Sequence, residues 1–141
     1  MFFVLPALVI LCIYLVAALL PALFLMRYIY HKDKLEKEPP ALLLYLALGG
    51  VGAALLSIAL EYLGIHILSS LLEEGSAAYT VAFAFLVVAA VEEGTKFLLL
   101  KRITWKNPHF NYRFDGIIYA VFVSLGFAAF ENIRYVLGYG L

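Results

Sequence analysis

Ala77-Ala78-Tyr79-Thr80-Val81-Ala82-Phe83-Ala84-Phe85-Leu86-Val87-Val88-Ala89-Ala90-Val91-Glu92-Glu93-Gly94-Thr95-Lys96-Phe97-Leu98-Leu99-Leu100 is apolar almost throughout and long enough to cross a bilayer as a helix. Two adjacent glutamates and a lysine interrupt it. A carboxylate at the bilayer centre costs at least about 2.5–3.5 kcal/mol, so ionisable groups within spans face a bundle interior or a wet cavity and mark functional sites. The rest of the chain is of the same kind. It is 65% hydrophobic and 14% charged over 141 residues, with a mean hydropathy of +0.98. That is far from the composition of a soluble domain. It leaves room for about four spans of ~20 residues and short loops, with no separate soluble unit.

Hydropathy places the helices at about 2–30, 40–63, 77–105 and 114–137, in a single all-α transmembrane bundle over 1–141. The first run lacks the basic flank of a signal peptide and is about twice the usual ~7–15-residue apolar core of one, so it reads as a retained helix. Pro39-Pro40 sets the start of the second helix, and the Ser76 region starts the third. Asn107-Pro108 breaks the chain before the fourth, which Gly138 and Gly140 end. The lone Cys12 allows no internal disulfide and reads as a small packing residue.

Charge segregation orients the bundle. Arg27, Lys32, Lys34 and Lys37 follow the first helix, and Lys101, Arg102, Lys106 and Arg113 follow the third; the other ends carry only Arg134. The positive-inside rule places these loops in the cytoplasm and both termini outside. The chain is thus expected to be a multi-pass protein of the cell membrane with the lipid bilayer as its surroundings, and its basic loops imply no nucleic acid. Trp105, Tyr112, Tyr28 and Tyr30 read as interface-belt aromatics, and Glu73-Glu74 as a solvated loop.

Small residues at helical spacing suggest interfaces: Gly49, Ala53 and Ser57, ending at Glu61, on the second helix, and Gly116, Ala120, Ser124 and Ala128, ending at Asn132, on the fourth. On the third, Ala78, Ala82, Phe85 and Ala89 are expected on the side that carries Glu92, Glu93 and Lys96. Lys96 can neutralise one glutamate at i, i+3 or i, i+4. The other can take a proton as a general base or bind a divalent metal that makes hydroxide. Glu131 is the candidate partner on the fourth helix, and Asp115 anchors that helix's start. Asn132 fits either of two roles, orienting Glu131 or a substrate carbonyl, or making a helix–helix hydrogen bond. If the third helix ended at Leu100, Glu92 would lie about 12 Å and Glu131 about 24 Å from the cytoplasmic ends; continuation to Trp105 reduces that mismatch to about 5 Å. A single site therefore requires the longer helix.

The strings Val91-Glu92-Glu93-Gly94-Thr95-Lys96-Phe97, Phe114-Asp115-Gly116-Ile117-Ile118-Tyr119 and Ser124-Leu125-Gly126-Phe127-Ala128-Ala129-Phe130-Glu131-Asn132-Ile133-Arg134-Tyr135 resemble the PrsW family of intramembrane proteases, related to the CAAX- and bacteriocin-processing membrane proteases. Lys32-Asp33 and Glu38-Pro39 resemble that family's N-terminal segment. The resemblance runs from about Lys32 onward, and the E-E-x-x-K and F-x-x-x-E-N motifs are specific in combination. It implies a metalloprotease that cleaves a single-span membrane protein, an anti-sigma factor in the best-known members. Glu92, Glu93 and Glu131 would be its catalytic and metal-binding glutamates, with Lys96 and Asn132 tuning or supporting them and zinc as the expected divalent metal. The family pattern adds a histidine on a later helix. His31 and His109 fall in loops and His66 near a helix end, so none replaces it, and the chain reads as a C-terminally truncated member lacking the family's last helices. The alternatives are a proton- or cation-coupled transporter, for which clustered carboxylates also suit, and a non-catalytic membrane scaffold.

Overall fold

A computed structural model describes residues 4–32 and 37–139. Phe2, Asp33, Lys34 and Gly140, which entered the sequence reading, lie outside them. Helix α1 (Val4–Lys32) is followed by α2 (Pro40–Leu71). Helix α3 (Ala77–Ala82) runs through a π-helical segment (Phe83–Ala89) into α4 (Ala90–Thr104), and α5 (Arg113–Tyr139) closes the bundle. No strand occurs among the described residues. The helices α1, α2 and α5 are each long and apolar enough to cross a membrane. The protein is a multi-pass, all-α membrane bundle.

Local chemistry explains most boundaries. Pro40 occupies the first turn of α2 behind an extended Pro39, where a missing N–H costs nothing. The α2 helix continues eight residues past the expected Leu63. Gly64 does not stop it, because that glycine is the point of contact with Val87, and Leu68 is buried. The break comes at the Glu73-Glu74-Gly75 turn, where Gly75 has φ +86°, a conformation suited to glycine. The Ser76 hydroxyl then caps α3 by accepting from the Tyr79 N–H at 3.1 Å. Past Thr104, His109 N–H bonds to Asn107 Oδ1, the side-chain turn that asparagine favours.

The third leg departs from a simple span. Its π-helical segment is marked by the Ala90 N–H donating to Phe85 O, five residues back. The wider turn changes the phase of the helix, so the side expected from Ala78, Ala82, Phe85 and Ala89 does not carry through. Phe85 and Ala89 face outward, and the inward line instead contains Val87, Thr95 and Thr104. The interruption and the charges at Glu92, Glu93, Lys96, Lys101 and Arg102 also keep this leg out of the set of long apolar helices, so three rather than four meet that description. The α4 helix does extend to Thr104, and the Trp105 N–H closes its end on Lys101 O.

Helix α5 is central and packs against α1, α2 and α4. Leu43 and Leu46 of α2 meet Ile118, Tyr119, Phe122 and Val123 of α5; farther along, Ala53 and Ala54 meet Phe127. Between these layers the backbones touch. A Cβ on Gly50 would collide with the Val123 carbonyl oxygen, and one on Gly126 with that of Ala47. The α5 contact face is therefore not the expected small-residue ridge, for Gly116 and Ala120 are half-buried and Ser124 is exposed. Bulky side chains fill this interface, and glycine is needed only where the helices cross. Cys12, expected in packing, is exposed on α1.

Candidate functional site

On α4, adjacent residues point about 100° apart, and Glu92 and Glu93 meet different surroundings. The side chain of Glu92 is 22% exposed, against 75% for Glu93. Between them Lys96 Nζ lies 2.8 Å from Glu93 Oε1 and 3.5 Å from Glu92 Oε2. The same ammonium stands 4.1 Å from the centre of the Phe127 ring on α5, a contact with the negative face of the π system. Buried Thr95 donates its hydroxyl to Glu92 O at 3.0 Å. Lys96 thus joins the two glutamates to the α5 core, while the exposed side of α4 carries Glu93.

One turn beyond Phe127, Glu131 is 25% exposed and paired with Arg134 at 3.4 Å. It is within electrostatic reach of Glu92 and Lys96. Glu61, at the end of the α2 ridge, is within reach of Glu92, Arg134 and Glu131, and the Ser57 hydroxyl is its near neighbour. Three half-buried carboxylates from three helices, with half-buried Lys96 and exposed Arg134, therefore share one region. Of the expected site residues, the fold gathers Glu92, Lys96 and Glu131 and sets Glu93 on the outer side. Glu61 was missed as a site residue; its one signal in the sequence was its place at the end of a small-residue ridge.

Asn132 is turned away from Glu131. Its Nδ2 donates to Ala18 O at 3.1 Å, tying α5 to α1 as an interhelical hydrogen bond. Buried Asp115 accepts from the Asn111 and Tyr112 N–H groups at 3.0 and 2.7 Å. This is the backward-reaching half of a capping box. Nearby, the buried Tyr119 hydroxyl donates to buried Glu38 Oε2 at 2.6 Å. Glu38 entered the sequence reading only through its place in the family-like segment, and the fold reveals a partner 81 residues away.

Among the described residues no three His, Cys, Asp or Glu side chains converge closely enough to hold one metal ion. His31, His66 and His109 are exposed, and His66 packs edge-on against Tyr62 at 4.6 Å between ring centres. Zinc takes about four donors, commonly including nitrogen or sulfur. By themselves the gathered carboxylates do not fit it.

The family model for "PrsW family intramembrane metalloprotease" matches residues 38–140, which include all three gathered carboxylates. The Protease PrsW of Geobacillus kaustophilus (strain HTA426) is 35% identical over 125 residues, covering 89% of this chain and 52% of the relative. That of Bacillus subtilis (strain 168) is 31% identical, with 89% and 54% covered. That of Clostridioides difficile (strain 630) is 37% identical over 119 residues, with 84% and 48% covered. The chain spans about half the length of these curated relatives. No solved structure matches it. The paired-glutamate helix and the glutamate-bearing helix packed beside it both lie within the matched segment, and the chain belongs to the PrsW family of intramembrane metalloproteases.

Proposed function

We propose that the protein acts as an intramembrane endopeptidase on a single-span, membrane-anchored protein of the anti-sigma-factor type, with Glu92 as the proton acceptor for the attacking water. The observation that carries this reading is the asymmetry of the glutamate pair. Glu92 is turned inward, in electrostatic reach of Glu131 on the packed neighbour α5, whereas Glu93 is exposed. In this scheme the water oxygen bonds to the scissile carbonyl carbon as Glu92 takes the water proton. The proton then passes to the amide nitrogen as the C–N bond breaks. Glu131 orients the water or the peptide from the α5 side, and Lys96 offsets the carboxylate charge. Completing a zinc site around Glu92 and Glu131 would require donors that the described residues do not supply, so each step assigned here belongs to this chain's own side chains.

The test is cleavage of a reconstituted single-span substrate by the full-length protein, at equal expression. Glu92→Gln is expected to slow cleavage by roughly 100-fold or more, the usual scale for a lost general base. Glu93→Gln should stay within about ten-fold of the parent, since Glu93 is itself on the outer side and reaches the site only through Lys96. Unchanged cleavage by Glu92→Gln refutes the assignment.

A further inference from the structure

Although α1 and α2 are consecutive, no pair of their described Cα atoms comes within 8 Å, because α5 holds them apart. The gap is a cleft of about 380 Å³ floored by Phe122 and walled by Met26, Tyr30, Leu43 and Ala47. That volume falls within the roughly 300–1,000 Å³ range of small-molecule sites. At its mouth stands Arg27, which makes no hydrogen bond or ion pair with any described residue. Lys32 and Lys37 lie at the same end, occupied with the Tyr28 and Tyr30 rings. An apolar slot between membrane helices, opening beside a guanidinium that no described residue neutralises and at the basic end of the bundle, is complementary to a molecule with a hydrocarbon tail and an anionic head.

We propose that this cleft is a binding site for an anionic glycerophospholipid, with an acyl chain between α1 and α2 and the headgroup phosphate on Arg27. Guanidinium matches phosphate in charge and in bidentate geometry, and basic pockets between membrane helices at the cytoplasmic side bind such headgroups. Water is a poor occupant of walls this apolar. The site is separate from the carboxylate region and does not depend on the proteolytic reading.

The test uses the full-length protein with Trp105→Phe and Leu44→Trp, which puts an indole on the cleft wall. It is reconstituted in vesicles of phosphatidylcholine with a brominated lipid of either headgroup. Brominated phosphatidylglycerol is expected to quench the indole at about five-fold lower mole fraction than brominated phosphatidylcholine, the preference one arginine near the surface confers. Arg27→Gln should erase that preference and Arg27→Lys should keep most of it. Equal quenching by the two lipids, insensitive to Arg27→Gln, overturns the proposal by identifying ordinary surrounding lipid. Quenching by neither lipid, the outcome if a peptide segment fills the cleft, overturns it as well.

Discussion

Gly126→Ala tests the contact that sets the depth of the whole site. At this position a Cβ would strike the Ala47 carbonyl oxygen and sit 2.7 Å from its carbon and 2.9 Å from its Cα, where ordinary contact begins at 3.4 Å. All three are backbone atoms of a packed helix, so no side chain can swing aside. The α2 and α5 helices must separate by more than an ångström at this point, and such overpacking costs roughly 1–3 kcal/mol, occasionally more. Gly52→Ala in the same protein is the matched control. Its Cβ meets nothing within 4 Å, and replacing a helical glycine by alanine should be neutral or gain up to about 1 kcal/mol. Gly50→Ala strikes the Val123 carbonyl from the other side of the crossing. The Gly50→Ala/Gly126→Ala double variant should therefore lose less than the sum of the singles, because the first separation makes room for the second methyl. Unfolding free energies from denaturant titration in mixed micelles measure all four. Equal stability of Gly126→Ala and Gly52→Ala would refute the close crossing, as would full additivity of the pair.

Two further substitutions probe the ties around this crossing. Tyr119→Phe removes the donor to buried Glu38 and should cost roughly 1.5–3 kcal/mol, the scale of a hydrogen bond to a charged group. Glu38→Gln, whose amide oxygen still accepts from the phenol, should cost less; the reverse order in the same titration would contradict the hydrogen bond. Asn132→Ala deletes the bond to Ala18 O and should cost about 0.6 kcal/mol and at most about 1.7, the range for such bonds between membrane helices. Substrate cleavage by that variant should stay within a few-fold of the parent, and loss on the scale of Glu92→Gln would return Asn132 to the chemistry.

The sequence reveals the membrane class readily because apolar runs of this length have few other solutions, and it reveals helix starts where proline or a capping serine stands at the boundary. Charge placement drew attention to Glu92, Lys96 and Glu131 for a simple reason: ionisable groups in lipid need a cause. What it could not reveal was phase. The π-helical segment Phe83–Ala89 carries no distinctive residue, yet it decides which side of α4 meets α5 and hence which glutamate of the pair turns inward. The small-residue ridge on α5 misled because Gly116, Ala120 and Ser124 have the right spacing, while the interface is filled by Tyr119, Phe122 and Phe127 and needs glycine only at Gly126. Glu61 and Glu38 were hidden differently. Glu61 is a lone acid in an apolar segment and Glu38 one of several charges before Pro39, and the partners of each come from helices distant in sequence.

In the proposed reaction Glu92 and Glu131 act together across the packed α4 and α5 helices while Glu93 stands outside. A double-mutant cycle on single-turnover cleavage by the full-length protein, using Glu92→Gln and Glu131→Gln, tests it most directly. The double variant should be scarcely slower than the worse single, as for residues that act as a unit, and the cycle of Glu93→Gln with Glu131→Gln should be multiplicative. Multiplicative losses for Glu92 and Glu131, with coupling between Glu93 and Glu131 instead, would contradict it.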